Sequence, residues 1–457
     1  MHYSKKVLFS LALVGLMCTF SACTMHDSDV ASTEQNSSIV ETDTPKETAT
    51  EPVDVSAPVA TGFTNLTRDG YSILGCGGEQ GYYETFYTAD VGGNIFYIDY
   101  ATQQEVYLCA APNCTHDHEG CTSWLDPEKG GYFPLLSGEK LLLVHVAYGF
   151  ESGESSIPHI DVAGLDGSDR HTLVEFAANE RLKLVFAANG DQLVCALNEV
   201  NPDDVEDTNA TLKLILIDLN TGDRTDFYER AVQIGGTEPL FMGVTDNGYC
   251  VLREQYTAKS DTDFPGQEWK DIADEIARST TYTCTMIPVG GSQPAGTFTY
   301  SGKLYDLVCD DGLYYFDCDS RKVVRVSIPD GTATELATLP DEGTVSAYLD
   351  GKMGDWFLLS QRYYERRPDV SYSIANDCCY AVNTKTGELR PLKIRQEVSA
   401  DRRMATMLGK TSSDVLLITD SEVLENNYHY GFVYSLISQE DYLNSNADAL
   451  KPIQFAF

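Results

Sequence analysis

Three cysteines and two histidines crowd into one short stretch of the chain, Cys109-Ala-Ala-Pro-Asn-Cys114-Thr-His116-Asp-His118-Glu-Gly-Cys121. Three thiolates and one imidazole can close a tetrahedral zinc site, and a closed site keeps no position open for substrate. In an extended chain Cys114 and His116 face the same side, and the Pro-Asn turn can bring Cys109 back toward them. The segment therefore predicts one structural zinc ion on Cys109, Cys114, His116 and Cys121, with His118 as a spare ligand.

The same cysteines also support disulfide chemistry. In an oxidising compartment Cys109 can pair with Cys114, or Cys114 with Cys121. Without Cys18 and Cys23, which the N-terminal processing described below would take, eleven of the thirteen cysteines remain. This odd number excludes complete intramolecular pairing. A bound metal, a disulfide and reduced thiols are therefore three open interpretations of segment 109–121.

The elements that must position this segment are strands. From residue 63 onward, short runs rich in Val, Ile, Leu, Tyr and Phe are separated by turn residues, which is typical of an all-β domain. Many hairpins end in a glycine, as in Leu219-Asn220-Thr221-Gly222-Asp223, because glycine supplies the positive φ of a tight turn. Each such hairpin follows an apolar pair of strands, so that four strands form one repeated unit.

These units have the spacing of propeller blades. They lie at residues 63–108, 131–176, 182–228, 238–300, 304–339, 343–394 and 401–456. The sequence thus predicts a β-propeller over residues 63–457, with seven blades. Six blades are an alternative, because the first and last units show the repeat pattern most weakly. A fold of two stacked β-sandwiches is a further alternative.

One segment departs from the strand pattern. Residues 267–279 place Trp269, Ile272, Ala273 and Ile276 at helical spacing, which predicts one amphipathic helix inserted in the fourth unit. Residues 438–450 favour a second short helix or turn.

The N-terminus has the features of an export signal. In residues 1–22 a basic pair precedes an apolar core at 7–17, which is too short to span a membrane and typical of a signal peptide. The small residues before Cys23 resemble the lipobox of bacterial lipoproteins. This resemblance implies that Cys23 becomes the first mature residue and carries a lipid. Phe20 stands where leucine is commoner, which leaves plain secretion as the alternative.

Residues 23–62 have the composition of a tether. They contain no aromatic residue and one lysine against eight acidic residues, so they cannot bury enough apolar surface to offset the entropy of ordering. We expect a disordered tether that holds the domain on the outer face of the cell membrane through the lipid.

The charge of the chain limits its partners. The formal net charge is −37 at pH 7, and such a surface repels nucleic acid and anionic membrane. The sequence has no G-x-S-x-G elbow, H-E-x-x-H motif or Walker loop, so no catalytic residues are predicted.

We therefore expect an extracytoplasmic binding or interaction module for a peptide, glycan or protein. A glycan hydrolase or lyase is one alternative, because two carboxylates suffice for glycoside hydrolysis. Metal binding or redox sensing through segment 109–121 is another.

The Cys/His segment and its setting also resemble a family. An apolar strand ending in Tyr107-Leu108-Cys109 and a Pro-Asn turn before Cys114-Thr-His116 are similar to a motif of uncharacterised propeller lipoproteins of Gram-positive bacteria. The resemblance extends to the lipobox, the tether and the hairpins. It implies a propeller related to the TolB type and brings no known activity.

Overall fold

The computed structural model describes residues 60–67, 75–88, 92–126, 131–146, 157–201, 209–234, 238–267, 269–341, 346–367, 370–396, 403–423 and 430–456. Cys23, the signal peptide and most of the tether lie outside these residues. No helix within the described ranges is long and apolar enough to cross a membrane.

The described strands form seven sheets in chain order, antiparallel except for one parallel pair in the first. Strand β1 (Thr64–Asn65) precedes them. The first blade has β2 (Gly75–Gly77), β3 (Gly81–Thr88), β4 (Gly92–Asp99), β5 (Gln104–Tyr107) and β6 (Trp124–Leu125). The second has β7 (Tyr132–Ser137), β8 (Lys140–His145), β9 (His159–Gly164) and β10 (His171–Glu175). The third has β11 (Glu180–Ala188), β12 (Gln192–Val200), β13 (Asn209–Asp218) and β14 (Arg224–Gln233).

The remaining blades repeat this arrangement. The fourth has β15 (Leu240–Val244), β16 (Tyr249–Thr257), helix α1 (Trp269–Arg278), β17 (Thr280–Pro288) and β18 (Gly296–Ser301). The fifth has β19 (Leu304–Cys309), β20 (Gly312–Asp317), β21 (Lys322–Val326) and β22 (Ala333–Thr338). The sixth has β23 (Ser346–Met353), β24 (Trp356–Arg367), β25 (Val370–Asn383) and β26 (Leu389–Leu392). The seventh has β27 (Thr406–Lys410), β28 (Asp414–Val423), β29 (Tyr430–Ser438), helix α2 (Gln439–Leu443) and β30 (Lys451–Pro452), and β31 (Gln454–Phe455) follows it.

The sheets are the blades of a seven-bladed β-propeller, which confirms the fold predicted from the sequence. First strands of neighbouring blades contact one another around the axis, as in β11 with β15 and β15 with β19, and the contact of β27 with β2 closes the ring. Seven clusters of buried apolar side chains lie in the described residues, one between each pair of neighbouring blades. The core is therefore a ring of interfaces between sheets.

Strand alternation produces this arrangement. Along β12, Leu193 and Cys195 pack toward the second blade, whereas Val194 and Ala196 pack toward the fourth. Successive side chains of a strand point to opposite faces. A run that is apolar at every position therefore serves two interfaces, which explains why these strands show no polar alternation.

The predicted hairpins and helices are present. The turn glycines Gly167, Gly222, Gly331 and Gly387 have φ between 70 and 77°. A Cβ at Gly222 would lie 2.3 Å from the carbonyl oxygen of Leu173 in the preceding blade, so glycine there serves both the turn and the packing of neighbouring blades. Helix α1 falls within the helix predicted at 267–279, and α2 within 438–450.

The two faces of the ring differ. Turns between the first and second strands, and between the third and fourth, open on what we call the turn face. Several are only two residues long, at 138–139, 310–311 and 354–355. The links between blades and between second and third strands open on the opposite, connection face. These include the long segment 258–279 between β16 and β17, which contains helix α1.

The first predicted unit begins later than expected. Residues 64 and 65 form β1, which pairs with β11 of the third blade and not with the first blade. Phe63 is 1% exposed and packs between the third and fourth blades. The Asn65 amide donates to the carbonyl of Val244 and accepts from its N–H, at 2.9 and 2.8 Å. The edge of β11 beside the axis therefore pairs with residues 64–65, which the sequence pattern assigns to the first blade.

Because β1 lies on the axial edge of β11, this segment occupies part of the central channel. The Gly62 N–H donates to the carbonyl of Asp246 on the turn face at 2.6 Å. The Thr67 hydroxyl accepts from the N–H of Phe186, further toward the connection face, at 2.8 Å. Residues 60–67 therefore run through the ring from the turn face toward the connection face.

Candidate metal centre

The Cys/His segment interrupts the outermost strand of the first blade. Strands β5 and β6 both pair with β4, one after the other, and residues 108–123 leave the sheet between them. Ile95 of β4 holds both ends of the loop, because its carbonyl accepts from the N–H of Leu108 at 2.9 Å and its N–H donates to the carbonyl of Ser123 at 2.8 Å. Continuous strand pairing therefore brings the two ends of the loop together.

The four predicted ligands meet at this closure. The ligand atoms of Cys109, Cys114, His116 and Cys121 all lie within 4.8 Å of one another, and His116 Nδ1 is 3.3 Å from Cys121 Sγ. Ligand atoms around a tetrahedral zinc ion are about 3.5–3.8 Å apart for the usual Zn–S and Zn–N lengths. The cluster could hold a metal ion with small side-chain adjustments.

Two side chains of the first blade fix the position of His116. Its ring stacks on Tyr107 with centroids 4.0 Å apart and an interplanar angle of 11°. The Asn94 side-chain amide donates to the His116 carbonyl at 2.8 Å. The backbone of His116 has a φ of 58°, a conformation that costs energy for a residue with a Cβ. Stacking and the Asn94 hydrogen bond offset that cost and aim the imidazole at the thiols.

The thiols differ in their proton affinity. Burial raises the pKa of Cys121 to about 12. Burial also acts to raise the pKa of Cys109, but hydrogen bonds from the Ala111 N–H and from neighbouring thiols outweigh it, so that this pKa lies below its usual value. Cys109 therefore loses its proton more easily than an ordinary thiol and Cys121 less easily, so that metal binding would have to release the Cys121 proton.

The sequence identified all four members of the cluster but not their supports. His118, the predicted spare ligand, is exposed and lies outside the four-residue group. The support that Asn94 and Tyr107 give to His116 was not predicted, because contacts across strands leave no local mark in the sequence. No disulfide joins any of the eleven cysteines that the structure describes.

A second group of titratable residues lies where the ring closes. The carboxyl groups of Glu84 and Glu105 are hydrogen-bonded to each other, and burial raises the pKa of Glu105 to about 10. The Tyr434 hydroxyl of the seventh blade donates to Glu84 at 2.6 Å. Glu105 is 3% exposed. A hydrolase needs its two carboxyl groups in a cleft, and this pair instead lies between the first and seventh blades.

Comparison with known proteins supplies no family. No protein-family model matches the chain, and no curated protein matches it. A puromycin-hydrolyzing peptidase of Mycobacterium tuberculosis superposes with a TM-score of 0.46 at 11% identity, over 87% of this chain and 57% of the peptidase. The oligogalacturonate lyase of Vibrio parahaemolyticus gives 0.43 at 12% identity, over 84% and 94% of the two chains.

The β-propeller domain of the trilobed protease from Pyrococcus furiosus gives a TM-score of 0.37 at 10% identity, over 82% of this chain and 93% of that domain. The chain spans about half the length of the peptidases that it resembles. At these identities the similarity says nothing about activity.

Proposed function

We propose that this protein is an extracytoplasmic, lipid-anchored β-propeller. We propose that its connection face binds a peptide, glycan or protein at the cell surface. We also propose that its Cys/His loop holds one structural zinc ion. The asymmetry of the two faces is the observation that carries the proposal. The turn face is built from turns as short as two residues, whereas the connection face bears the long segment 258–279 with helix α1. Loops on a rigid scaffold are where binding residues concentrate.

The path of residues 60–67 fits this choice of face. The Gly62 N–H donates to the carbonyl of Asp246, so this segment reaches the ring on the turn face. Residue 62 therefore lies on the face opposite to the one that we propose as the binding surface.

The zinc assignment depends on the donor set. Three thiolates and one imidazole favour zinc over hard cations such as magnesium and calcium, which take oxygen ligands. Four protein ligands complete the tetrahedron, so the ion would brace the loop and take no part in chemistry.

Anchoring is tested with Cys23→Ala. In cells grown with an alkyne-tagged fatty acid, we expect the wild-type chain to carry the tag and to sediment with membranes, and the variant to lack the tag. Cys318→Ala, which alters a partly buried thiol of the fifth blade, is the matched control. An untagged wild-type chain found in the medium would refute the lipid anchor and leave the binding face untouched.

The binding face is tested by site-specific photo-crosslinking in intact cells. Tyr256 is 65% exposed at the end of β16 on the connection face. Lys385 has a side chain that is 71% exposed in a hairpin on the turn face. A photoreactive phenylalanine analogue at Tyr256 should give discrete high-mass adducts, and one at Lys385 should not. Equal adduct yields, or none at Tyr256, would contradict binding at the connection face.

Metal content tests the zinc site. Purified protein should contain one thiolate-bound zinc ion that Cys114→Ser abolishes and that Cys318→Ser leaves in place. A Cys114→Ser protein that keeps its thiolate-bound metal, shown by thiolate-to-cobalt charge-transfer absorption after cobalt substitution, would refute the assignment.

A further inference from the structure

The middle hairpin of the sixth blade is longer than the strands on either side of it. Strands β24 and β25 pair along their whole length, out to Arg367 and Val370, whereas the outer strand β26 pairs only with residues 379–382 of β25. Among the described residues, no strand pairs with the outer edge of β25 over residues 370–377. This edge, which we call the free edge, lies toward the connection face, where the link between β24 and β25 opens.

The chain leaves the sheet where the free edge begins. After Leu392, the side chain of Ile394 is 2% exposed and packs between the sixth and seventh blades. The N–H of Ala405 donates to the carbonyl of Ile394 at 3.0 Å, and the N–H of Met404 donates to Asp377 Oδ2 at 3.3 Å. These bonds direct the chain toward the seventh blade and away from the line along which β26 would continue.

A cavity of about 340 Å³ lies at this point. Its walls include the side chains of Cys378, Tyr380 and Leu392, where the pairing of β25 with β26 ends. Lys393 and Arg395 also line the cavity, and both are exposed. The volume is in the range of small-ligand pockets, so the cavity can hold a side chain of a bound peptide with two cations beside it.

The segment around the cavity is a basic part of an acidic chain. Residues 362–403 contain nine Lys or Arg residues and six Asp or Glu residues, whereas the whole chain contains 32 and 69. Charge complementarity therefore favours an acidic partner at this edge over a basic one. The unpaired N–H and C=O groups of a strand edge favour a partner that is itself an extended peptide.

We propose that the free edge and its cavity bind an acidic peptide segment in an extended conformation. The peptide pairs with β25 in the place where β26 would continue, inserts one side chain into the cavity and sets a carboxylate beside Lys393 or Arg395. In this mode of recognition, backbone hydrogen bonds supply affinity and pockets for alternate side chains supply specificity. A peptide is one of the partners proposed for the connection face, so this site rests on the proposed function.

Fluorescence anisotropy of the purified full chain tests the site with defined probes. A labelled Glu-Val-Glu-Val-Glu-Val peptide should bind, and a Lys-Val-Lys-Val-Lys-Val peptide should not. The acidic peptide with every backbone nitrogen methylated keeps its charge but cannot donate to a strand, so it should bind at least about tenfold more weakly. Equal binding of the two acidic peptides would overturn strand pairing. No binding of either, together with discrete adducts at Tyr256, would overturn this site and leave the proposed binding face in place.

Two matched charge reversals locate the site. Lys393→Glu should weaken binding of the acidic peptide about fivefold, because it replaces an attraction by a repulsion at an exposed rim. Lys385→Glu, which makes the same change on the turn face of the same blade, should weaken it less than about twofold, because salt screens distant charges. Equal losses would show that only the overall charge matters and would overturn the site. Lys393→Gln should weaken binding about threefold, and it replaces Lys393→Glu if that variant does not fold.

Two other occupants of the edge would give different results. Alginate, a polymer of uronic acids, has carboxylates but no backbone amides. Alginate binding that Lys393→Glu removes, without binding of the acidic peptide, would assign the cavity to an anionic glycan and overturn the proposal. A dimer in sedimentation velocity that Lys393→Glu dissociates would assign the free edge to a second copy of the chain, which would also overturn it.

Discussion

Replacing Glu105 with glutamine should stabilise the propeller at neutral and alkaline pH. Glu105 and Glu84 are hydrogen-bonded carboxyl groups between the first and seventh blades, and burial raises the pKa of Glu105 from 4.5 to about 10. The pKa of Glu84 is also raised by burial. A glutamine amide can donate to Glu84 as the protonated Glu105 does, so the substitution keeps the hydrogen bond and removes the titration.

The direction in which stability changes with pH follows from proton binding. Below pH 4.5 both the folded and the unfolded chain hold the Glu105 proton, so Glu105→Gln changes little. Above it, the unfolded chain releases the proton while the fold retains it, and stability falls as pH rises toward the folded pKa of about 10. The loss is about 1.4 kcal/mol per pH unit, or roughly 3 kcal/mol at pH 7. For a domain of this size, with an unfolding entropy of roughly 0.8 kcal/mol/K, this corresponds to about 4 °C in Tm.

The assay is thermal unfolding of both proteins from pH 4.5 to pH 9. The Tm difference should be near zero at the acid end and should grow with pH in favour of Glu105→Gln. Glu229→Gln, an exposed position on β14, corrects for the general effect of removing one negative charge. If Glu105→Gln and Glu229→Gln give curves parallel to that of the wild type, the buried carboxyl pair does not control the pH dependence.

Three further outcomes are expected. Tyr434→Phe removes the hydroxyl that donates to Glu84 and should lower the free energy of unfolding in urea by about 1–3 kcal/mol; no loss would mean that water replaces the hydroxyl. Phe63→Ala should lower the free energy of unfolding by about 3–5 kcal/mol, because Phe63 is 1% exposed between two blades. Thr64→Ala, at an exposed position, should change it little. Similar losses in the two variants would contradict the role of Phe63 in the channel. Zinc chelation should speed proteolysis within residues 109–121 by on the order of tenfold, without new cuts in the blades; unchanged cleavage would show that the loop needs no ion.

The closing of the ring is a property that the sequence left open. Strand β31 adds in parallel to β5 of the first blade, while β30 completes the seventh blade. The backbone N–H of Ser412 donates to both carboxylate oxygens of Glu79 at 2.9 and 3.0 Å. These contacts join residues more than 300 positions apart, and no local pattern marks them.

The sequence by itself determined the blades and the four Cys and His residues of the loop cluster. Hairpins such as the one at Gly222 are local, since a glycine turn and two apolar strands carry their own geometry. The cluster members in segment 109–121 are recognised by residue type. Tertiary structure alone decided that β1 joins the third blade, that Asn94 and Tyr107 hold His116, and that Glu84 meets Glu105. The physical reason is the same in each case. Strand pairing and packing between sheets bring together residues that are far apart in the sequence, and before the ring forms these residues have no feature that separates them from other strand residues.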